Sequence, residues 1–199
     1  LNAAFLEAGV QAGHSLTEDV NGFRQEGFSR FEMTVEGGYR NSSARTYLHQ
    51  QAKRPNLTIV TGAKVLRVLT RASRAYGVEY ALGRQVHQAE CAREVIMCAG
   101  VFGTPQILML SGIGPSAQLR QHSIPVAADL AGLGENLHDH LEAHIQVETD
   151  QPVSLNRYLK PHLMLWAGIQ WFGWKGGPAA VNQCHVGAFL RSEPTITHP

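Results

Sequence analysis

The sequence predicts an α/β (α+β) fold, and three observations carry that prediction. Residues 93–98 end in the apolar run Val95 to Cys98, which is typical of a buried strand in a parallel sheet. The Gly, Thr and Pro pattern that follows predicts a tight turn, with Thr104 as N-cap and Pro105 opening a buried helix over 106–110. Period-two alternation fills residues 57–98 and returns at 141–147. We therefore expect a sheet-and-helix part followed by the start of an antiparallel sheet.

The remaining elements follow from local patterns. Residues 13–44 are rich in Gly, Asn, Ser and Arg and predict a long loop of the kind that forms lids or binding segments. Arg54 and Pro55 end the helix before them. The predicted helices are 1–10, 43–52, 106–110 and 156–171, and the predicted strands are 57–60, 64–70, 75–81, 85–90, 93–98, 141–147 and 182–190.

Composition limits the class of protein. The chain has 199 residues, 44% of them hydrophobic, and 17 basic residues balance 16 acidic ones to a net charge of +1. Without a basic run, neither nucleic acid nor an anionic membrane surface is indicated as a partner. The longest apolar segment, 163–174, is too short to span a membrane. The three cysteines are predicted to be reduced thiols in the core of an intracellular protein.

Two motifs carry a family resemblance. Residues 100–114 read G-x-x-x-T-P-x-I-L-x-L-S-G-I-G, and residues 132–140 read G-L-G-E-N-L-x-D-H. Both resemble a signature of the glucose–methanol–choline (GMC) flavoprotein oxidoreductases. Further stretches resemble the choline dehydrogenase branch of that family, at 21–27, 43–48, 54–58, 151–154 and 187–192.

The resemblance implies an internal piece of an FAD-dependent alcohol oxidoreductase. Residues 1–140 are expected to be part of an FAD/NAD(P)-binding-type domain that lacks the N-terminal dinucleotide fingerprint, and residues 141–199 the start of an antiparallel-sheet substrate-binding domain. The family reaction oxidises a primary alcohol to an aldehyde by hydride transfer to FAD. No catalytic residue is assigned, because the catalytic His of the family is expected beyond Pro199.

Without the fingerprint and the catalytic His, we expect the chain alone to be inactive and to bind FAD weakly or not at all. A different class of function also fits the residues. The chain would then be a stand-alone binding or interaction module that uses the same half-fold without redox chemistry. Complete termini at Leu1 and Pro199 would favour that alternative.

The resemblance also suggests cofactor contacts. Val65 matches a family position whose backbone meets the adenine of FAD, and Cys98, Ala99 and Gly100 match the strand end beside the adenosine. Ligands bind at the carboxyl ends of strands in parallel sheets, which agrees with the second position. The alternative is that Val65 is an ordinary strand residue and Gly100 an ordinary turn residue.

His185 is the candidate substrate residue. In the resembling choline dehydrogenases a Glu occupies this position, and a carboxylate suits the fixed positive charge of a trimethylammonium group. An imidazole does not suit it. A neutral primary alcohol is therefore a better prediction than choline, unless His185 is simply a hydrogen-bonded histidine on a sheet face.

Other polar clusters carry weaker hypotheses. Residues His138, His140, Glu142 and His144 would share one face of a strand, but neighbours on that face are about 7 Å apart and cannot converge on one ion. We therefore expect no metal site. Ser111 lacks the Gly-x-Ser-x-Gly context of hydrolases.

Partners follow from the same reasoning. The aromatic cluster of Trp166, Trp171, Phe172 and Trp174 is interpreted first as packing, and second as a substrate-channel or membrane-surface contact. We expect a small-molecule alcohol as substrate and, by family resemblance, oxygen or a membrane-associated quinone as electron acceptor. Exposed apolar surface predicts self-association of the chain. The expected location is cytoplasmic, or peripheral at the inner membrane.

Overall fold

A computed structural model describes residues 1–182, 184–193 and 195–197. The chain divides into two units, one formed by Leu1–Leu57 with Ile145–Pro199 and the other by Thr58–His144. The helices are α1 (Asn2–Gln11), α2 (His49–Gln51), α3 (Gly100–Leu110), α4 (Ser116–Gln121) and α5 (Pro161–Trp174), with a π-helical turn at Ala44–Leu48 and 3₁₀ turns at Leu155–Leu159 and Pro178–Ala180. The strands are β1 (Gly27–Arg30), β2 (Val35–Glu36), β3 (Tyr39–Arg40), β4 (Ala63–Arg71), β5 (Arg74–Leu82), β6 (Gln85–Glu90), β7 (Ile113–Gly114), β8 (Ala128–Asp129) and β9 (Val186–Phe189).

The unit Thr58–His144 is built on an antiparallel meander of β4, β5 and β6. These three strands confirm the predictions over 64–70, 75–81 and 85–90. Their tight turns use backbone with positive φ, at Ala72 and Ser73 in the first and at Gly83 in the second. Val68 and Leu69 on β4 are buried and form the apolar centre of this unit.

Helix α3 packs against β4. It begins at Gly100, so Thr104 is not the N-cap and Pro105 lies inside the helix. The Thr104 hydroxyl instead turns back and accepts a hydrogen bond from the Ala99 N–H at 3.2 Å. The chain is therefore already helical before Pro105.

Three predicted strands are not formed. Within the described ranges, residues 57–60, 93–98 and 141–147 belong to no strand. A strand needs hydrogen bonds from a neighbour, and an apolar pattern alone does not provide one. Ile96, Leu141 and Ile145 are exposed for this reason. The expected burial of the helix is wrong too, because no residue of α3 is buried.

In the other unit, β1 pairs with β9 in an antiparallel ribbon from Gly27 opposite Phe189 to Arg30 opposite Val186. Strand β9 confirms a strand within 182–190, a range in which Gln183 lies outside the described residues. The predicted loop over 13–44 is only partly a loop, because β1, β2 and β3 form within it.

Helix α1 lies on the β1–β9 ribbon, with the rings of Phe5 and Phe28 5.2 Å apart. Gly9 has no side chain where the ring of Phe28 packs. A glycine at this position therefore permits the close approach of helix and strand.

Helix α5 confirms the predicted helix near 156–171, with later bounds. Pro161 stands at its first helical position, where a missing N–H costs nothing. Before it, the Ser154 hydroxyl accepts a hydrogen bond from the Asn156 N–H at 3.2 Å and caps the 3₁₀ turn. The helix ends at Trp174, and the next residue, Lys175, caps it in the left-handed conformation with φ 56°. Among the described helices, none has the length and apolar character needed to cross a membrane.

The cysteines differ from their predicted placement. Cys91 is half-buried, whereas Cys98 and Cys184 are exposed. All three are free thiols, but two lie outside any core. The prediction that Cys98 and Cys184 are in the core is wrong because neither lies in a strand: residues 93–98 form no strand, and Cys184 precedes β9.

Candidate functional site

The candidate cofactor residues Cys98, Ala99 and Gly100 form the junction that leads into α3. All three are exposed. Gly100 has φ +81°, and a Cβ built on it would meet no atom within 4 Å. The backbone is therefore open here to close approach by a ligand.

Val65 lies on β4, which is an edge strand of the β4–β5–β6 sheet. It is half-buried and pairs with Tyr80 of β5. Helix α3, which starts at Gly100, packs on this strand. The two candidate cofactor segments therefore belong to elements that pack together.

Ser111 fixes this arrangement of strand and helix. Its hydroxyl accepts a hydrogen bond from the Val68 N–H at 2.8 Å and donates one to the Ile107 carbonyl at 2.6 Å. The buried N–H of an edge residue is thereby satisfied by the end of the helix. No hydrolytic role is needed to explain this serine.

The apolar side chains of α3 border a cavity of about 1010 Å³, which the sequence did not predict. Phe102 and Met109 line it from the helix, and Asn136 and Leu137 line it from the second motif. The chain turns there with positive φ at Gly134 and Asn136. A side chain on Gly134 would press on Met109. In the sequence, Gly134 of the second motif was the available signal for this close packing.

Arg67 and Glu79 form the main charged pair of this unit. The Arg67 Nε and the Glu79 Oε1 are 2.9 Å apart, and Gln88 donates to the other carboxylate oxygen at 3.3 Å. Hydrogen bonds from Arg67 and then from Gln88 hold the pKa of Glu79 below its usual value. The hydrogen bond to Glu79 raises the pKa of Arg67. Arg67 and Glu79 thus link β4 to β5, and Gln88 links β6 to the same carboxylate.

His185 belongs to the other unit, immediately before β9. Its carbonyl accepts a hydrogen bond from the Phe31 N–H at 2.9 Å, and the residue is half-buried. The ring of Phe31 packs over Gly187, which has no side chain to obstruct it. The position of His185 is thus fixed by its backbone, at the end of the β1–β9 ribbon.

A polar cavity of about 520 Å³ lies in the same unit. It is bordered by residues 34–43 of the predicted binding loop and by 179–182. No acidic side chain lines it in the described part of the chain, and its polar side chains are those of Thr34, Arg40, Asn41, Ser42, Ser43 and Asn182. The loop therefore encloses space for a polar ligand, although His185 is not among its lining residues.

The histidine-rich stretch 138–144 forms no strand. Within it, the Glu142 Oε1 and the His144 Nε2 are 3.2 Å apart, and the His140 N–H donates to the Asp139 Oδ1 at 2.8 Å. In the part of the chain that the structure describes, no three His, Cys, Asp or Glu side chains are grouped to hold a metal ion.

The aromatic cluster divides into packed and exposed members. The Trp171 indole Nε1 donates to the Gly38 carbonyl at 2.7 Å, and its ring meets Tyr39 edge-on. Trp166 and Trp174 contact each other at 6.1 Å but remain exposed. Packing therefore accounts for Trp171, while the other two need a different explanation.

The family model described as GMC oxidoreductase matches residues 1–142. Because this match covers well over half of the chain, the chain belongs to the GMC oxidoreductase family.

Within that family, the chain is similar to choline dehydrogenases. It is 45% identical over its whole length to the mitochondrial choline dehydrogenases of Mus musculus and Homo sapiens, of which it covers 33% and 34%. It is 46% identical, over 98% of its length, to the oxygen-dependent choline dehydrogenase of Pseudomonas putida, of which it covers 35%. The chain therefore spans about a third of the length of these curated relatives.

Solved structures agree with the fold. A formate oxidase from Aspergillus oryzae, studied for its FAD modification, matches 96% of the chain with a TM-score of 0.81 and 26% identity, over 34% of its own length. An FAD-dependent oxidoreductase from Chaetomium thermophilum matches 89% with a TM-score of 0.73 and 24% identity, over 32% of its own length, which shows the fold alone. The α/β (α+β) class that the sequence predicts is thereby confirmed.

Proposed function

We propose that the protein carrying this chain is an FAD-dependent alcohol oxidoreductase that oxidises a primary alcohol to an aldehyde. The observation that carries the proposal is the match to choline dehydrogenases along the whole chain. The open backbone at Cys98–Gly100, beside the strand that carries Val65, supports it.

We assign residues 1–140 to the FAD-binding part and residues 141–199 to the substrate-binding part. The family model, which ends at residue 142, supports a boundary there. The two compact units divide the chain at other positions than this boundary, since residues 1–57 belong to the same unit as residues 145–199.

The residues present fit the adenosine end of FAD. Gly100 leaves open space above its Cα, and no side chain crosses it within 4 Å. Cys98, Ala99 and Gly100 would approach the adenosine with their backbone, and Val65 would meet the adenine from the edge strand. When bound, the flavin supplies the hydride acceptor. This chain contributes the position of the adenosine, and no proton transfer is assigned to it.

For the substrate, we propose a neutral primary alcohol rather than choline. His185 stands where the choline dehydrogenase pattern has a Glu, so the anionic partner of a trimethylammonium group is replaced by an imidazole. His185 is half-buried at the end of the ribbon. The relatives named for choline differ from this chain at more than half of their aligned positions, so they do not decide its substrate.

Anaerobic flavin reduction tests this proposal. The purified protein from the full reading frame should be yellow, and a neutral primary alcohol should bleach its flavin bands faster than choline does. The variant His185→Glu should reverse that preference. A colourless protein would instead favour the binding-module alternative, and an unchanged preference in His185→Glu would remove His185 from the substrate site.

Oxygen and a membrane quinone are the two proposed electron acceptors. Consumption of one oxygen molecule per alcohol oxidised would assign oxygen, whereas turnover that requires an added quinone would assign the quinone. A cytoplasmic location, or a peripheral one at the inner membrane, stays a prediction.

We also propose that the isolated 199-residue chain self-associates. Exposed Ile96, Val101 and Phe102 in the unit Thr58–His144 support this, because apolar side chains in water favour association. Light scattering coupled to size-exclusion chromatography should show oligomers that grow with concentration. A monomer across the micromolar range would contradict the proposal.

A further inference from the structure

The polar cavity in the unit formed by residues 1–57 and 145–199 has a positive charge on its wall. Among the described residues, Arg40 is the one charged side chain that lines it. The other polar side chains of the lining are neutral, and they are Thr34, Asn41, Ser42, Ser43 and Asn182. The volume of about 520 Å³ lies within the roughly 300–1,000 Å³ of small-molecule sites. The cavity therefore has the size of a ligand site and a cationic anchor.

The hairpin of β2 and β3 directs Arg40 to the cavity. Arg40 is paired with Val35 across the hairpin, and both residues line the cavity. Directly opposed residues of a hairpin project to the same face, and the next pair along the strands projects to the other face. That next pair is Glu36 with Tyr39. Glu36 does not line the cavity, and its carboxylate accepts a hydrogen bond from the Asn41 Nδ2 at 3.1 Å. The acid closest to Arg40 in the sequence therefore does not neutralise it.

The Arg40 guanidinium has no partner in the described part of the chain. It makes no ion pair and no hydrogen bond there, whereas Arg67 and Arg191 are each paired with a carboxylate. The Ser43 hydroxyl and the Asn182 carboxamide also make no hydrogen bond with a described residue. All three side chains belong to exposed residues, so a ligand can reach their donors.

Most of the lining comes from stretches without acids. No Asp or Glu occurs in residues 37–78 or in residues 151–192, although the whole chain has 16 acidic residues. A cationic ligand would meet Arg40 with no carboxylate from these stretches to balance its charge. A neutral ligand would cover the guanidinium and leave its charge unpaired, which costs free energy. A phosphate or a carboxylate instead accepts two parallel hydrogen bonds from a guanidinium. Charge complementarity therefore favours an oxyanion as the occupant.

We propose that this cavity binds the phosphate or carboxylate group of a small molecule, with Arg40 as its anchor. The Arg40 guanidinium donates two hydrogen bonds to the oxyanion, and Ser43 and Asn182 donate to its remaining oxygens. The site involves neither His185 nor the residues assigned to the adenosine. The proposal therefore goes beyond the redox function and does not depend on it.

Isothermal titration calorimetry tests the proposal on the protein from the full reading frame, with inorganic phosphate and acetate as separate probes. At least one probe should bind saturably, and the one that binds more tightly identifies the group as phosphate or carboxylate. Arg40→Gln should raise the Kd of that probe about tenfold or more, because it removes the charge and both hydrogen bonds to the oxyanion. Arg40→Lys keeps the charge but lacks the planar fork, so its Kd should lie between the two.

Arg30→Gln is the matched control, because Arg30 is an exposed cation of the same unit that is not part of the lining. Its Kd should equal that of the unmodified protein, and thermal melting should show that every variant is folded. Absence of saturable binding for both probes, or an equal Kd in Arg40→Gln and Arg30→Gln, would overturn the proposal. Binding that appears only after the flavin is removed would assign the cavity to the cofactor and overturn it as well. Neither alcohol nor flavin reduction is part of the readout, so failure here is distinct from failure of the proposed oxidation.

Discussion

Trp171 donates a hydrogen bond from its indole Nε1 to the carbonyl oxygen of Gly38 at 2.7 Å, across 133 positions of the sequence. This bond ties α5 to the turn between β2 and β3. Gly38 has φ +73°, and a side chain on it would collide with the backbone of Lys175. The same contact orients the outer face of the helix, because the side that carries Trp171 is held inward.

The variant Trp171→Phe should destabilise the protein. An aromatic ring remains, but the half-buried Gly38 carbonyl loses its donor, and such a hydrogen bond contributes about 0.5–1.5 kcal/mol. Trp174→Phe is the control, since Trp174 is exposed and its loss should change stability by about 0.5 kcal/mol or less. Urea unfolding measures both. Equal stability of the two variants would show that the bond to Gly38 contributes nothing.

Ser111→Ala should loosen the junction of β4 and α3. The Val68 N–H, on a buried residue, would lose its acceptor, at a cost of about 1–3 kcal/mol in the free energy of unfolding. Thr58→Ala removes an exposed hydroxyl from the same unit and serves as the control. Hydrogen exchange at the Val68 amide gives a local measurement, and it should accelerate in Ser111→Ala alone. Unchanged protection of that amide would contradict the assigned hydrogen bond.

Glu79 should make the sheet sensitive to acid. Its pKa is lower in the folded protein than the ordinary value of 4.5, because Arg67 and Gln88 donate to its carboxylate. The stabilisation is complete above the unfolded pKa and is lost as the pH falls through the folded pKa. Glu79→Gln should therefore lower the urea midpoint at neutral pH and flatten its decline below pH 4.5. A pH profile of Glu79→Gln that runs parallel to that of the unmodified protein would refute the assignment.

The meander of β4, β5 and β6 was predictable because each strand pairs with its neighbour in the sequence. Alternation over β4, β5 and β6, with turn residues between them, fixes strands that pair with their sequence neighbours. Residues 93–98 and 141–147 show equally good patterns but belong to no strand in the described chain. An apolar pattern shows which face of a strand would be buried, not whether a partner is available.

Contacts between distant residues were not predictable. Strand β1 is a four-residue segment in a loop-like stretch, and its partner β9 lies near the other end of the chain. The packed side of α5 was equally unpredictable, because apolar residues occur all around that helix, and the contacts of Ala167 and Trp171 identify that side. At the candidate cofactor site, the motif gave the location of Cys98–Gly100, and only the structure showed that the backbone there is open.

Gly100→Ala should weaken FAD binding in the protein that carries this chain. Gly100 has φ +81°, so a Cβ there adds backbone strain of about 1–2 kcal/mol, and it would occupy the space above the proposed adenosine site. Gly83→Ala is the matched control, because Gly83 also has positive φ and open space around it but lies in the β5–β6 turn. Both variants should lose similar stability in urea. Titration of the apoprotein with FAD should show a Kd about tenfold or more higher for Gly100→Ala, which corresponds to about 1.4 kcal/mol or more, and an unchanged Kd for Gly83→Ala. An equal Kd in the two variants would show that the adenosine does not bind next to Gly100.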